Sequence, residues 1–219
     1  MQPEKDAKSA PGIRKMPSQA RARATVETIF DATARIVEND GENALTTNRI
    51  AAEAGFSIGT LYQYFPSKEA VVLAMVARQR DRAQVDIQAL LDTAVARRLP
   101  VLEVVRQLVR LMVRVFGGES KNRRRFIRLG WRLDHHDNVT QALREGAERN
   151  ALALAQLIAS GDAGDAVGVR RPEPAMMFVA TRAVMGTIRS ACLEDSPLLG
   201  TAAFEDELVR VCWGLLRSD

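Results

Sequence analysis

Eight prolines stand at positions 3, 11, 17, 66, 100, 172, 174 and 197, so the stretches 18–65, 67–99 and 101–171 contain none. Proline lacks a backbone donor and clashes with the preceding turn, so long proline-free spans rich in Ala, Leu, Arg, Glu and Gln favour helix. No run of strict apolar/polar alternation bounded by turn residues competes with that reading. Apolar residues at intervals of three and four predict about nine helices, at roughly 18–39, 48–54, 58–64, 67–94, 101–116, 120–133, 137–160, 174–194 and 202–217. The expected fold class is all-α.

Composition narrows what such a fold can be. With 219 residues, of which 47% are hydrophobic and 26% charged, the chain can bury a core without disulfides. Cys192 and Cys212 form no spaced framework, which fits a reducing cytoplasm and two buried thiols better than a redox pair. The longest unbroken apolar run is 70–77, far below the ~20 residues that span a bilayer, so no membrane partner is expected. Residues 1–17 carry charges and three prolines where a signal peptide would be apolar, and read as a disordered basic tail.

Three helices fall within the first 65 residues, and the second and third are joined by a tight turn at Gly55. Thr46 or Thr47 supplies an N-cap hydroxyl for the second helix, Ser57 one for the third, and Ser67 one for the fourth. Ala51, Gly55 and Leu61 have the spacing of a helix-turn-helix: a small residue where the helices cross, a glycine in the turn, and an anchor on the second helix. Both tyrosines of the chain, Tyr62 and Tyr64, lie in that seven-residue helix beside Thr60 and Gln63. Hydroxyls and amides of this kind suit phosphates and base edges.

The segment Thr46-Thr47-Asn48-Arg49-Ile50-Ala51-Ala52-Glu53-Ala54-Gly55-Phe56-Ser57-Ile58-Gly59-Thr60-Leu61-Tyr62-Gln63-Tyr64-Phe65-Pro66-Ser67-Lys68-Glu69 resembles the DNA-binding domain of TetR-type transcriptional regulators. The resemblance covers about 20–75. It implies that the third helix enters a major groove and that Thr47, Asn48, Ile58, Gly59, Thr60, Tyr62, Gln63, Tyr64 and Lys68 lie at the DNA, with Arg49 and the Ser57 helix end beside them. Thr47, Tyr62 and Lys68 would hold phosphates. Gln63 and Asn48 have amides suited to an adenine edge, Ile58 and Thr60 could touch a thymine methyl, and Gly59 permits close backbone approach. The implied organisation is a helix-turn-helix domain at 18–66, a connecting helix at 67–94, and an effector-binding and dimerisation domain at 95–219.

One short recognition helix reads few base pairs, so specificity calls for a homodimer on a near-palindromic double-stranded operator. Ala180, Ala183, Gly186 and Ser190 place small residues three or four apart, and with Leu208, Val211 and Leu215 of the last helix they form the expected dimer surface. Leu108, Met112, Phe116, Phe126, Trp131, Met176, Met177, Phe178 and Met185 are the large or adaptable apolar residues from which a small-molecule effector pocket would be built. An arginine such as Arg110, Arg114 or Arg128 facing inward would suit an acidic ligand.

Other signals point nowhere in particular. Asp134-His135-His136-Asp137 has ligand types, but adjacent helical residues diverge by about 100°, so a helix boundary with Asp137 as N-cap is expected and no metal or cofactor. The run Lys121-Asn122-Arg123-Arg124-Arg125 reads as a solvated face. No nucleophile-base pair or phosphate-binding glycine loop supports an enzyme with an appended helix-turn-helix, which stands as the alternative beside a non-specific architectural protein. The net charge of +4 is uneven: six basic side chains against two acidic up to residue 25, but three against seven over 26–70. Neutral groups and helix ends are therefore expected to do much of the gripping, aided by the basic arm.

Overall fold

The structure, a computed structural model, describes residues 20–118, 120–133, 136–159 and 168–217. Nine α-helices are present among them: α1 Ala20–Asp40, α2 Thr47–Glu53, α3 Ile58–Tyr64, α4 Lys68–Arg97, α5 Val101–Met112, α6 Lys121–Leu133, α7 His136–Ala159, α8 Pro174–Leu193 and α9 Ala202–Leu216. A single-turn 3-10 helix, Glu42–Ala44, precedes α2, and the only β pairing described is the isolated bridge Val169 to Arg217. The chain divides into two compact units, 1–79 and 80–219.

In the first unit, α1 turns Val26, Ile29, Phe30, Ile36 and Val37 inward at helical spacing, and Ile50, Ala51, Leu61 and Phe65 of the following segment close the core against them. The Phe30 and Phe65 rings sit 5.7 Å apart at 43°. Arg78, early in α4, lies over the Phe30 ring at 4.6 Å and pairs with Glu27. Gly55, at φ +73°, ends α2 in the left-handed conformation that favours glycine, and the Phe56 amide donates back to Ala51 across it.

The second unit is a helical layer in which α7 packs on α8, α8 on α9, and α5 on α9. One buried cluster joins Val109, Ile127, Trp131, Met185, Ile188 and Cys192; another joins Ile87, Leu91, Val104, Leu154, Leu157 and Met177. Cys192 and Cys212 are free and buried, as their sequence context suggests.

Several local expectations change. The fourth helix continues to Arg97 rather than about 94. The fifth ends as α-helix at Met112 and runs on as a π-helical turn, Val113–Gly117. Gly117 lies so close to Leu199 that a Cβ there would stand 2.9 Å from Cδ1. The seventh helix begins at His136, so Asp137 sits in its first turn rather than at its cap, while Asp134 and His135 lie outside the described residues. The basic run on α6 is only partly a solvated face. Arg124 donates to the Leu199 carbonyl at 2.5 Å and to the Gly118 carbonyl at 3.4 Å. One turn on, Arg128 donates to the Cys192 carbonyl at 3.0 Å and pairs with Asp195. These two arginines fasten α6 to the last turn of α8 and to the connection that follows it.

Candidate nucleic-acid interface

The second and third helices are set by their caps. The Thr46 hydroxyl accepts from the Arg49 amide at 3.2 Å, and the Ser57 hydroxyl from the Thr60 amide at 3.1 Å. Each satisfies one otherwise unpaired donor at a helix start. Ser67 does the same for α4, accepting from the Ala70 amide at 3.2 Å. With the starts fixed, the 100° step per residue decides what faces out. Leu61 and Phe65 are fully buried, while Ile58, Gly59, Tyr62 and Gln63 are exposed and Thr60 and Tyr64 half-buried.

On α2, Asn48 and Arg49 are exposed and Thr47 is half-buried, and this helix meets α3 through its polar edge. The Thr47 and Tyr62 hydroxyls lie 3.3 Å apart, long for a bond between hydroxyls. They are gathered on one edge without being tightly committed to each other. Ser57 and Thr60 share a shorter contact of 2.9 Å.

Each basic side chain of 26–70 already has a partner. Arg35 pairs with Glu53 at 3.0 Å and Arg49 with Asp40 at 2.5 Å. Lys68 donates to the Leu45 carbonyl at 3.0 Å, leaving two ammonium protons for another acceptor. Asp40 and Leu45 escape sequence reasoning because they lie on the approach to α2, outside the helix-turn-helix pattern. The outward surface of α3 is thus neutral and rich in hydroxyls and amides.

The residues singled out in the second unit separate into two groups. Phe126, Trp131, Met176, Met177 and Met185 are buried, and Leu108, Met112 and Phe116 are half-buried. The Trp131 and Phe116 rings are 6.2 Å apart, and the indole N–H donates to the Phe116 carbonyl at 3.3 Å. Phe178 departs from the buried group: it is 56% exposed with the Arg182 guanidinium 3.8 Å above its ring. Buried Met185, seven residues on, lies within about 20° of it around α8, so the helical period alone does not account for its exposure.

Phe178, Val179, Gly186, Ser190 and Leu193 share the exposed side of α8, and Val211 is exposed on α9. Ala180, Ala183 and Leu215 are half-buried. Leu208 is buried in its own unit's core beside Val209 and Cys212, so it does not belong to that exposed face. Arg110 pairs with Glu205 at 3.6 Å, and Arg114 is exposed. Burial pushes the Cys212 thiol up to about 11. It raises Cys192 as well, against the opposing influence of Arg128 and Arg124. Among the described residues no three His, Cys, Asp or Glu side chains cluster as metal ligands, and no helix is long and apolar enough to cross a membrane.

Residues 29–75 match the family described as "Bacterial regulatory proteins, tetR family". The HTH-type transcriptional repressor KstR of Rhodococcus jostii is 37% identical over 54 residues, which are 25% of this chain and 26% of that repressor. The chain thus matches about a quarter of the length of that curated relative. Over nearly the whole chain, a TetR-family transcriptional regulator from Haemophilus influenzae superposes with a TM-score of 0.52 at 16% identity, covering 91% of this chain and 100% of that one. FadR from Bacillus subtilis, in complex with stearoyl-CoA, superposes with a TM-score of 0.54 at 17% identity, covering 85% and 96%. The amino-terminal domain is therefore a tetR-family domain, and the chain that carries it has the all-α fold of TetR-type regulators.

Proposed function

We propose that the protein is a ligand-responsive repressor, not an enzyme, that binds a near-palindromic DNA operator as a homodimer and is released from it by a small molecule. The outward surface of α3 carries the proposal: Ile58, Gly59, Tyr62 and Gln63 face away from buried Leu61 and Phe65 within a tetR-family domain. In this reading α3 lies in the major groove, Gln63 and Asn48 read base edges, and Thr47, Tyr62 and Lys68 hold the flanking phosphates. Ile58 and Thr60 meet thymine methyls, Gly59 lets the backbone approach, and Tyr64 and the Ser57 helix end complete the contact. Arg49 joins only by leaving Asp40.

The exposed side of α8, with Phe178, Val179, Gly186 and Leu193, and Val211 of α9 form the homodimer face. In this reading Leu108, Met112, Phe116, Trp131 and Met185 line the effector recess; FadR, a protein of related fold solved in complex with stearoyl-CoA, supports a small-molecule ligand. Two recognition helices must fit successive major grooves about 34–36 Å apart, so an effector that moves α4 by a few Å spoils the match.

A gel shift with DNA from upstream of its own gene tests the reading. A sequence-specific complex that survives scrambled competitor, from protein of dimer mass, is expected. Equal affinity for scrambled DNA with the same salt dependence points instead to a non-specific binder, and turnover of a bound small molecule to an enzyme.

A further inference from the structure

Asn150 stands where the pattern of α7 calls for an apolar residue. At 100° per residue, Leu143, Ala147, Leu154 and Leu157 all lie within about 60° of it around the helix. Leu154 and Leu157 are buried in one cluster with Met176 and Met177, Ala147 packs against that cluster, and Leu143 packs against the other. The Asn150 Oδ1 is shielded from solvent and accepts no hydrogen bond. The Nε of Arg149, its neighbour, is likewise shielded and donates none. These two are the unpaired buried side-chain polar atoms among the described residues. Such atoms are costly and rare in a folded core, and ask for a partner.

Arg149 has one carboxylate within reach. Its Nη1 lies 4.0 Å from the Glu145 carboxylate, which also accepts from Gln84 of α4 at 3.4 Å and from Gln141 at 2.9 Å. What remains unmet is one N–H donor and one carbonyl acceptor on adjacent residues of α7. Apolar residues at the margin of the neighbouring core remain open to a ligand. Val105 and Met112 of α5 border both buried clusters at once, yet stay partly accessible, as do Leu143 and Ala147.

We infer that Asn150 and Arg149 are the polar anchor of the effector recess, and that its occupant is a small, largely apolar molecule with a neutral group that both donates and accepts, a hydroxyl being the simplest. This rests on the proposed effector-responsive function. Oδ1 requires a donor and the Arg149 Nε–H an acceptor, and a hydroxyl supplies both. A carboxylate supplies no donor and sets a second negative charge near Glu145.

The test uses the full chain without DNA. The n-alkanols from hexanol to dodecanol, each beside the carboxylate of the same length, are titrated while the fluorescence of Trp131 and Trp213 is followed, one in each cluster. At least one alkanol binds saturably, roughly ten-fold or more tighter than its carboxylate, and Asn150→Leu weakens it by a similar factor. Arg149→Met weakens it less. Without ligand, Asn150→Leu melts at or up to about 4 °C above the unsubstituted protein, because Leu completes the apolar face. A structural asparagine does not give that combination. The proposal is overturned by tighter carboxylate binding, by no saturable alkanol binding, by undiminished binding in Asn150→Leu, or by a clear fall in its melting temperature. An alkanol that binds through Asn150 but does not release DNA counts against the repressor reading and leaves the anchor standing.

Discussion

Replacing Tyr62 with Phe separates two ways of holding DNA. Tyr62 is 43% exposed, and its hydroxyl has one protein neighbour, Thr47 at 3.3 Å. Losing so long a contact costs the fold less than about 0.5 kcal/mol, a shift of under about 2 °C in melting temperature. At the DNA, a hydroxyl donating to a phosphate is worth about 1.5 kcal/mol, the low end for bonds to charged groups, because an exposed hydroxyl gives up water to make it. A dimer loses two, about 3 kcal/mol, which is roughly a hundred-fold in Kd. Tyrosine releases no counterion, so the slope of log Kd against log salt should stay fixed. Fluorescence anisotropy with the operator, repeated across a salt series, measures both quantities. Lys68→Met is the contrasting variant, expected to reduce the slope by about two per dimer. An unchanged affinity for Tyr62→Phe, or a loss accompanied by a flatter slope, refutes the argument that neutral groups grip the phosphates.

Three further outcomes follow from the geometry. Ser57→Ala removes the cap of α3 and should cost about 1 kcal/mol, seen as a fall of about 2–4 °C in thermal melting. Gly117→Ala drives a methyl to 2.9 Å from the Cδ1 of buried Leu199 and should cost about 1–3 kcal/mol; a melting temperature equal to that of the unsubstituted protein would show that Leu199 gives way freely. Burial raises the Cys212 thiol from 9.0 to about 11, so unfolded chains ionise before folded ones. The stability tied to that neutral thiol is complete below pH 9.0 and is lost as pH rises toward about 11. Melting curves across that window should fall less steeply for Cys212→Ala, and parallel curves would remove the thiol from the account.

The local parts of the fold were readable from the chain, and the long-range parts were not. Thr46, Ser57 and Ser67 cap helices through bonds that reach three residues, so the residue type and its place before an apolar run were enough. The outward set on α3 followed from a single buried anchor and the helical period. The π turn at Val113–Gly117 left no such mark, since its wider backbone bonding asks for no particular side chain. Arg124 reads as solvated, and Arg128 as a candidate for an acidic ligand, because their carbonyl partners lie 75 and 64 residues away. Phe178 escapes for a related reason: it lies within about 20° of buried Met185 around α8, and periodicity does not say how far along that side the neighbouring helices extend. Lys68 bonding to Leu45, 23 residues back, was equally out of reach.

The fastening of α6 has a consequence for how this protein can diverge. Arg124 and Arg128 grip the last turn of α8 and the connection that follows it chiefly by the carbonyl oxygens of Leu199 and Cys192, groups that every residue type possesses. That part of the grip accepts any side chain, although the connection is constrained in other ways: the Ser196 hydroxyl accepts from the Leu198 amide, Gly200 stands at φ +83°, and Thr201 caps α9. The two arginines have no such latitude, because lysine's single ammonium cannot reproduce a planar fork reaching the Gly118 and Leu199 oxygens together. The grip itself is thus indifferent to the side chains it holds, and substitution is felt at the two arginines and at those loop positions that bend or cap the chain.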